Sequence, residues 1–456
     1  MQGPIITILI IIVLLAIDYY ILRGLQTAFK KTKFIHKRWF NRFYWGSSVF
    51  LVTALFSAIY VQMGGVGLRG ALLFLFFITF IFKIFYVLFI LVDDVRRFVV
   101  YLIRKNKKQD TASSIATTTS STATATAPAT PQESATATAT NEAATEQETT
   151  FKSIPRSEFL MKAGLLAGAI PLYGIKHNMS KGLYDYQLQN VDLYLPNLPK
   201  AFDGMRIGQI SDIHSGSFHS KWQMKAGVEM LLKQKADVIF FTGDLVNGQT
   251  WEVKHYIDVF NKVRAPLGVY SILGNHDYGD YGKWPSPADK AKNNADMIAA
   301  HKELGWDLLV DVNRRLKVGN EEIGILGIGN WGEMSRFPKY GRMEKAVVNT
   351  DDLPVKLLLS HDPSHWRAEV IPKYPQIDAM FSGHTHGMQF GVRTPDFQWS
   401  PIEYVYTEWA GLYREAHQQI YVNVGYGFLG YPGRIGILPE ITIFTLKAGA
   451  DPSLKA

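Results

Sequence analysis

The sequence predicts an α/β domain that follows an N-terminal helical transmembrane module. Three observations lead to this prediction: long apolar stretches occupy much of residues 1–92, a segment dominated by Thr, Ala and Ser comes later, and short β-rich runs alternate with helical ones from about residue 190. Strands that alternate with helices are typical of layered α/β domains. The 456 residues exceed the roughly 100–200 of a single domain, so more than one unit is expected.

The composition excludes several classes of function. The chain has no cysteine, which rules out disulfide frameworks, thiolate metal sites and cysteine nucleophiles. Its net charge of +8 arises in the N-terminal module, because residues 1–108 carry 15 Lys/Arg against 3 Asp/Glu while residues 109–150 carry five acids and no base. The rest of the chain is nearly neutral, so we expect no nucleic-acid partner.

Residues 1–108 are predicted to form a transmembrane module. Its three candidate spans lie at about 4–22, 45–63 and 71–92. Each is close to the ~20 residues that an α-helix needs to cross a bilayer. Basic residues cluster between the first two spans and after the third, which places both clusters in the cytoplasm and the N-terminus outside. Asp18 and Lys83 fall inside spans, where we expect snorkelling or burial between helices rather than a functional pair.

Two further segments precede the α/β domain. Residues 109–150 contain no aromatic residue, so they cannot bury enough apolar surface to offset the entropy of ordering, and they are predicted to be a disordered linker. Residues 151–176 are rich in Gly and Ala and form a candidate fourth span. The apolar centre of that segment, Ala163–Ile175, would make only about 20 Å of helix against a bilayer core of ~30 Å.

The α/β domain is predicted at about residues 190–446. Lys221–Lys235 and Val253–Val263 are amphipathic and are predicted to be helices. The predicted strands are Met205–Ser211, Asp237–Thr242, Val269–Leu273, Ile323–Ile328, Val355–Ser360, Ile377–Phe381, Ile420–Val424 and Ile441–Leu446.

Side chains that can bind metals follow five of these strands. They are Asp212 and His214, then Asp244, then Asn275 with His276 and Asp277, then His361, and finally His384 and His386. Each group alone is a weak signal, since a single Gly-Asp or Asn-His is usually a turn or a loop. Together they predict a metal site, because loops at the carboxyl ends of strands are where α/β sheets bind ligands. Oxygen and nitrogen ligands without thiolates suit Mn, Fe or Zn.

In this order, the groups resemble the five motifs of calcineurin-like metallophosphoesterases: Asp-x-His, Gly-Asp, Gly-Asn-His-Asp, a lone His and Gly-His-x-His. The resemblance covers about residues 190–446. Gly425-Tyr426-Gly427 and the segment from Arg434 to Ile441 are similar to the membrane-associated branch that contains YkuE- and YaeI-like phosphodiesterases. The resemblance implies a four-layer α/β sandwich with the site at one edge.

The resemblance also implies two divalent metal ions per domain, Mn, Fe or Zn. The first would be bound by Asp212, His214, Asp244 and His386, and the second by Asp244, Asn275, His361 and His384. Asp244 would therefore bridge the two ions. Two such ions can hold a hydroxide for in-line attack on phosphorus and clamp the phosphoryl oxygens.

Three further residues acquire roles from the same resemblance. His276 would stabilise the phosphoryl oxygens or protonate the leaving oxygen, since imidazole exchanges protons near neutral pH. Asp277 would orient that imidazole or simply cap the turn. Arg434 would contact the phosphate, unless it is an ordinary surface charge. Tyr278–Trp284, the segment directly after Asp277, would either stack its aromatic side chains on the substrate or form a packed Gly-rich loop.

The predicted function is that of a membrane-anchored dinuclear phosphohydrolase, and a phosphodiesterase is the leading hypothesis. The alternatives with the same site are a phosphomonoesterase and a nucleotide or lipid pyrophosphohydrolase. An inactive membrane sensor or scaffold is disfavoured because every metal-ligand position is filled. The expected partners are membrane lipids and a phosphate-ester substrate, with lipid-linked esters among the candidates.

The side of the membrane depends on residues 151–176. Arg156-Ser157-Glu158-Phe159-Leu160 resembles the twin-arginine export signal found at this point in relatives, but only one arginine is present. Lys152, Arg156 and Lys162 nevertheless form a basic flank of the kind found at cytoplasmic ends of spans. We therefore expect a multi-pass protein of the cell membrane with a fourth crossing and an external catalytic domain. A three-span protein with a cytoplasmic domain is the open alternative.

Overall fold

The computed structural model describes residues 2–60, 66–118, 156–218, 220–430 and 433–452. The chain divides into two compact units, Met1–Tyr173 and Gly174–Ala456. Most of the predicted linker, residues 109–150, lies outside the described residues. The domain boundaries predicted from the sequence stay predictions.

The first unit is helical. Its helices are α1 (Gln2–Ala28), α2 (Arg38–Tyr60), α3 (Val66–Thr118) and the greater part of α4 (Arg156–Lys181). Within the described residues, two stretches are long and apolar enough to span a membrane, Thr7–Ala28 and Leu75–Ile103. The predicted span at 45–63 lies in α2 but runs past Tyr60, the last described residue there. Helix α3 continues through residues 109–118, which were predicted to be linker, because no proline or glycine interrupts them.

Helix α4 approaches α3 closely through two glycines. Added Cβ atoms at Gly164 and Gly168 would lie 2.7 Å from Phe89 and 2.8 Å from Phe82. Met161 of α4 is also buried in a cluster with Tyr86 of α3. Small residues four apart that let helix backbones approach are typical of helix pairs in membranes.

The second unit contains two six-stranded sheets. The strands are β1 (Gln187–Leu195), β2 (Arg206–Ile210), β3 (Val238–Phe241), β4 (Val269–Ser271), β5 (Asp307–Leu308), β6 (Val312–Val318), β7 (Glu321–Gly327), β8 (Lys356–Leu359), β9 (Ala379–Ser382), β10 (Val392–Arg393), β11 (Gln398–Trp399), β12 (Gly411–Glu415), β13 (Gln418–Val422) and β14 (Glu440–Ala448). The first sheet has the order β1-β14-β2-β3-β4-β5 and the second the order β12-β13-β9-β8-β7-β6, while β10 and β11 form a separate hairpin.

Helices cover the outer faces of the two sheets. The helices of this unit are α5 (Lys221–Lys233), α6 (Trp251–Lys254), α7 (Ile257–Phe260), α8 (Pro287–Leu304), α9 (Met343–Ala346) and α10 (Ile371–Lys373). The predicted helix Val253–Val263 is instead α6 and α7, because Tyr256 between them leaves the helical conformation and its hydroxyl donates to the carbonyl of Phe218 at 3.0 Å.

The apolar strands are buried on both faces, as β3 illustrates. Val238 and Phe240 belong to the core between the two sheets, and the ring of Phe240 lies 5.0 Å from that of Phe381 in the opposite sheet. The alternate residues Ile239 and Phe241 pack against α5, α7 and α8. On the outer face of the second sheet, a third cluster includes side chains of α9 and of the π-helical turn Trp366–Val370. The predicted four-layer α/β sandwich is confirmed.

Candidate metal centre

The predicted metal-binding groups lie at one edge of the sandwich. Strands β2, β3 and β4 are parallel neighbours in the first sheet, and β8 and β9 are parallel neighbours in the second. Their carboxyl ends meet, since the backbone N–H of His384, after β9, donates to both carboxylate oxygens of Asp212, after β2, at 3.0 Å. Five loops from two sheets therefore converge on one site.

The first cluster consists of Asp212, His214 and His386. One ligand atom from each residue lies within 4.8 Å of those of the other two. The Nε2 of His386 is 3.3 Å from Oδ1 of Asp212. All three residues are buried, so a cation held here would be shielded from bulk water.

The second cluster consists of Asp244, His361 and His384, whose ligand atoms also lie within 4.8 Å of one another. Asn275 belongs here too, because its Oδ1 is 2.8 Å from Nδ1 of His384. The Oδ2 of Asp244 is 3.2 Å from Nε2 of His361 and 3.5 Å from Nε2 of His214. Asp244 therefore lies between the two clusters, the position of the predicted bridging ligand.

The donor set fits divalent cations. The Nε2 atoms of His214, His361 and His386 are buried and make no well-formed hydrogen bond, although a carboxylate oxygen lies 3.2–3.5 Å from each. A buried polar atom without a partner carries a desolvation cost of about 1–3 kcal/mol, which metal coordination would remove. The two Asp/His clusters can thus hold two divalent metal ions, with ligands that suit Mn, Fe or Zn.

The electrostatics of the first cluster agree with this fit. Burial lowers the pKa of His214 to about 3 and the pKa of His386 well below its usual value, so both are neutral at pH 7, the state in which imidazole coordinates metals. At His361 burial would lower the pKa, but the carboxylates of Asp244 and Asp212 raise it to about 10, so a metal bound there would displace a proton. Burial alone would raise the pKa of Asp244, but the neighbouring His361 and His276 hold it well below its usual value. Asp244 is therefore ionised, and a divalent cation would neutralise its charge.

Two glycines provide the space that the ligands occupy. A Cβ on Gly274 would lie 2.2 Å from Oδ1 of Asp244, and a Cβ on Gly383 would lie 2.2 Å from Oδ2 of Asp212. Real Cβ atoms do not approach an oxygen this closely, so both positions require glycine. The glycines in the motifs therefore allow loops from neighbouring strands to pack against the ligand carboxylates.

His276 lies beside the clusters with one ring nitrogen committed. Its Nδ1 is 2.7 Å from the carbonyl oxygen of Asn247, so Nδ1 carries the proton and donates. Its backbone N–H donates to Oδ1 of Asp244 at 2.8 Å, and its ring centroid is 4.5 Å from that of Tyr281. In the neutral tautomer that this contact selects, Nε2 is the acceptor nitrogen.

Asp277 does not orient His276 in this structure. Its carboxylate instead accepts backbone hydrogen bonds at 2.8–3.2 Å from Asp244, Leu245, Val246 and Gly274. The imidazole of His276 is held instead by the carbonyl of Asn247. Asp277 thus fixes the loop that carries Asp244.

The predicted phosphate contact at Arg434 also lacks geometric support. Arg434 is fully buried, and its guanidinium donates to the carbonyls of Val424, Gly425 and Gly427 at 2.6–3.1 Å. The backbone N–H of Gly427 in turn donates to the carbonyl of Asp212 at 2.9 Å. Arg434 therefore braces the segment that packs behind Asp212.

The structure adds residues that the motifs did not reveal. The hydroxyl of Tyr406 is 2.8 Å from Nε2 of His384 and donates to Asp362 at 3.3 Å. Tyr281, in the segment Tyr278–Trp284, accepts a hydrogen bond from Asn275 Nδ2 at 2.8 Å. Asp362 could have been noticed because it directly follows His361, whereas Tyr406 has no motif around it.

A loop between β7 and α9 brings a cation to the second cluster. The ring of Phe337 lies 4.8 Å from that of His384, and the guanidinium carbon of Arg336 lies 4.6 Å above the Phe337 ring. Phe337 is buried whereas Arg336 is exposed. The arginine is thus at the surface of the site, where a substrate can reach it.

Sequence comparison agrees with this geometry. Residues 205–388 match the family model described as calcineurin-like phosphoesterase, and residues 2–183 match a 4TM phosphoesterase model described as the transmembrane domain of a probable calcineurin-like phosphoesterase. The metallophosphoesterase YkuE of Bacillus subtilis is 30% identical over 309 residues, which cover 65% of this chain and 99% of YkuE. The chain belongs to the calcineurin-like metallophosphoesterase family. It is accordingly a metallophosphoesterase, a hydrolase of phosphoric esters, with a transmembrane domain.

Two other members show the range of the family. A zebrafish (Danio rerio) transmembrane protein with a metallophosphoesterase domain is 30% identical over 270 residues, which cover 57% of this chain and 56% of the zebrafish protein. The UDP-2,3-diacylglucosamine pyrophosphatase LpxG of Chlamydia trachomatis is 27% identical over 244 residues, which cover 44% of this chain and 70% of LpxG. The family thus includes a pyrophosphatase named for a lipid-linked nucleotide.

Proposed function

We propose that this metallophosphoesterase is a membrane-anchored phosphodiesterase that uses two divalent metal ions, Mn, Fe or Zn. The observation that carries the proposal is the position of Asp244, whose Oδ2 lies 3.2 Å from a histidine nitrogen of one cluster and 3.5 Å from one of the other. One metal would be bound by Asp212, His214, Asp244 and His386. The other would be bound by Asp244, Asn275, His361 and His384.

When bound, two such ions supply a nucleophile from water at neutral pH and polarise the phosphoryl oxygens. The protein contributes rigid ligands, because the ligand loops are fixed by hydrogen bonds across both sheets. In its imidazolium form, His276 would protonate the leaving oxygen from Nε2 while Nδ1–H keeps donating to the carbonyl of Asn247, and this transfer leaves the neutral imidazole. Tyr406 and Asp362 orient His384, as outer partners of metal-binding histidines commonly do.

We assign the contact with the substrate phosphate to Arg336 rather than to Arg434. Arg336 is exposed and stacks on Phe337 next to His384, so its guanidinium can reach a phosphate oxygen bidentately. Arg434 is enclosed by backbone carbonyls and acts as a positioning residue for Asp212.

A pyrophosphohydrolase of lipid-linked nucleotides is the second candidate. The specific observation in its favour is the relative LpxG, whose name states that chemistry. A diphosphate substrate would place one phosphate on the metal ions and the other within reach of a cation such as Arg336. The proposal of a phosphodiesterase rests on the resemblance of the C-terminal segments to the YkuE- and YaeI-like branch.

A panel of substrates separates these functions. The full chain, purified in detergent with added Mn²⁺, would be assayed on bis-p-nitrophenyl phosphate, p-nitrophenyl phosphate and a UDP-linked lipid. We expect the diester to be cleaved fastest. Faster cleavage of the monoester would identify a phosphomonoesterase, and cleavage of the diphosphate alone would identify the pyrophosphohydrolase. Failure on all three would favour an inactive sensor or scaffold.

A pair of matched variants ties the activity to the proposed ligands. His361→Gln should abolish hydrolysis, because this substitution removes a buried imidazole from the second cluster. His417→Gln is the control, since His417 is exposed and its ring nitrogen hydrogen-bonds to the carbonyl of Pro375. Equal activity of the two variants would contradict the assignment of the second metal site.

A further inference from the structure

A group of large apolar side chains is exposed beside the metal centre. Its members are Met388, Val392, Phe397, Tyr404 and Val405, which are 52%, 44%, 59%, 76% and 57% exposed. We call this group the apolar rim. Single exposed apolar residues are ordinary on protein surfaces, whereas several on adjoining turns of chain mark an interaction site.

Both ends of the apolar rim are close in the sequence to residues of the metal centre. Met388 follows the ligand His386 by two residues, and it holds a left-handed backbone conformation with φ of 54°. That conformation is strained for a side chain of this size and is found mostly at functional sites. At the other end, Val405 precedes Tyr406, whose hydroxyl lies 2.8 Å from Nε2 of His384.

The apolar rim is a fixed surface. Strands β10 and β11 pair Val392 with Trp399, and the indole N–H of Trp399 lies 3.4 Å from the hydroxyl of Tyr404. The hydroxyl of Ser400 donates to the carbonyl of Gly387 at 2.8 Å, and Arg393 pairs with the buried Glu440. The apolar side chains are therefore presented by an anchored hairpin and turn, so their exposure is a property of the folded domain.

A bilayer is the occupant that the rest of the chain favours. Only residues 182–186 separate the end of α4 from the start of β1, and Leu183 and Tyr186 among them are already buried in the core of the second unit. Five residues span at most about 18 Å. If α4 crosses the membrane, the domain is therefore held at the bilayer surface, where tyrosine and aliphatic side chains are favoured.

We propose that the apolar rim rests in the bilayer surface and that the metal centre takes its substrate from there. This inference rests on the proposed function and narrows its substrate to an amphiphile. Its phosphate ester would reach the metal ions while its hydrocarbon chain remains with the apolar rim and the lipid.

The absence of cysteine allows a site-specific test of the docking step. Phe397→Cys and Tyr404→Cys, each in the full chain, would be labelled with an environment-sensitive fluorophore and reconstituted into phosphatidylglycerol/phosphatidylethanolamine vesicles containing doxyl lipids. Trp222→Cys and Trp251→Cys are the controls, because these side chains are 78% and 56% exposed outside the apolar rim. We expect at least threefold stronger quenching at 397 and 404 than at the controls.

A substrate comparison tests the second half of the inference. Hexadecyl p-nitrophenyl phosphate in the vesicles should be cleaved at least tenfold faster than methyl p-nitrophenyl phosphate, which has the same leaving group. Val392→Ser/Phe397→Ser should reduce that ratio. Equal quenching at all four labelled sites would overturn the inference and leave a protein partner as the occupant of the apolar rim. A hexadecyl/methyl rate ratio near one would also overturn it, even if both esters are hydrolysed. Quenching at the apolar rim without hydrolysis of either ester would instead support docking and contradict the proposed function.

Discussion

Backbone strain is concentrated at the candidate ligands. Five of the seven have positive φ angles, namely Asp212, His214, Asp244, His384 and His386, with values of 49–74°. Such conformations cost of order 1–3 kcal/mol for residues other than glycine and persist where the surrounding contacts over-determine them. Here those contacts are the hydrogen bonds of Asp277 to the loop of Asp244 and of His384 to Asp212. The candidate ligands are thus held in place by hydrogen bonds of the protein itself.

The role of His276 leads to a prediction about leaving groups. His276→Ala should lower turnover by roughly 10²–10⁴-fold, the range typical of a general acid, while the metal content stays at two per chain. The loss should shrink for esters with good leaving groups such as nitrophenolate, because these need no proton. Turnover of esters with graded leaving groups would be measured. An equal loss across the series would indicate electrostatic stabilisation of the phosphoryl oxygens instead.

His301 gives a prediction for stability against pH. Burial lowers the pKa of His301 to about 3, and its Nδ1 is 2.9 Å from the hydroxyl of Ser271. The unfolded chain binds the proton near pH 6.5, so this residue favours folding above pH 6.5 and loses that contribution as the pH falls toward 3. Between pH 7.5 and 5.5 the loss should be about 1.4 kcal/mol.

That loss would be measured as the change in urea unfolding free energy of the full chain, with His301→Gln as the comparison. The variant should lose less stability than the wild-type chain over the same interval, because its amide does not titrate. Parallel losses in the two proteins would show that other groups control the pH dependence.

At the scale of elements, an ion pair ties three helices of the first unit together. Asp18 of α1 is 1% exposed, and its carboxylate is paired with Lys83 of α3 at 2.7 Å. The hydroxyls of Ser48 and Tyr44, both on α2, also donate to Asp18. The sequence prediction of burial between helices is therefore confirmed for this pair.

Asp18→Leu should destabilise the helical unit by about 3–5 kcal/mol, because this substitution leaves Lys83 buried without its partner. Asp18→Leu/Lys83→Met should recover most of that stability, since removing both charges also removes the desolvation cost. Thermal unfolding in detergent, followed by helical circular dichroism, would measure both. An unchanged midpoint in the single variant, or no recovery in the double variant, would contradict a structural role for the pair.

The elements were predictable where the apolar pattern was strong. All eight predicted strands correspond to observed strands, because runs such as Val238–Phe241 and Lys356–Leu359 are apolar on both faces. Helix α8 was missed although Ser286-Pro287 at its start and Gly305 after its end are standard boundary signals, because its apolar periodicity is weak. The insertion of β14 between β1 and β2 was not predictable, since packing rather than local sequence decides strand order.

At the candidate site, too, some residues could be predicted from the sequence and others could not. The seven candidate ligands were identifiable because each lies just after a predicted strand and the five groups follow the order of the five motifs. The role of Asp277 was left open between orienting His276 and capping its turn, and the carbonyl of Asn247 could not be predicted as the partner of His276 because a different loop supplies it. Tyr406 and Arg336 were missed because they approach the ligands only through tertiary structure. Metal binding by the seven residues stays a prediction.

At the scale of the whole molecule, helix α4 determines the side on which the enzyme acts. Its 26 residues would extend about 39 Å, more than the ~30 Å of a bilayer core, although α4 is not one of the two described stretches that are apolar enough by themselves to span a membrane. Its Gly164 and Gly168 also pack on α3, as expected for a helix of the membrane bundle. We therefore propose a fourth crossing, which with cytoplasmic basic loops places the catalytic domain outside.

Protease added to spheroplasts, followed by an antibody against the C-terminus, tests this topology. We expect digestion of the catalytic domain without disruption of the membrane. Complete protection until the membrane is broken would instead support the three-span arrangement with a cytoplasmic domain.

The central claim is a dinuclear metal centre that shares Asp244. Elemental analysis of the full chain should find two divalent ions in the wild-type protein and in Asp258→Asn, a control at an exposed carboxylate that pairs with Lys221. Asp244→Asn should lose both ions and its hydrolytic activity, because the amide cannot supply a negative bridge, while circular dichroism and the unfolding midpoint show that the domain still folds. Two ions retained per chain in folded Asp244→Asn would contradict the shared-ligand centre.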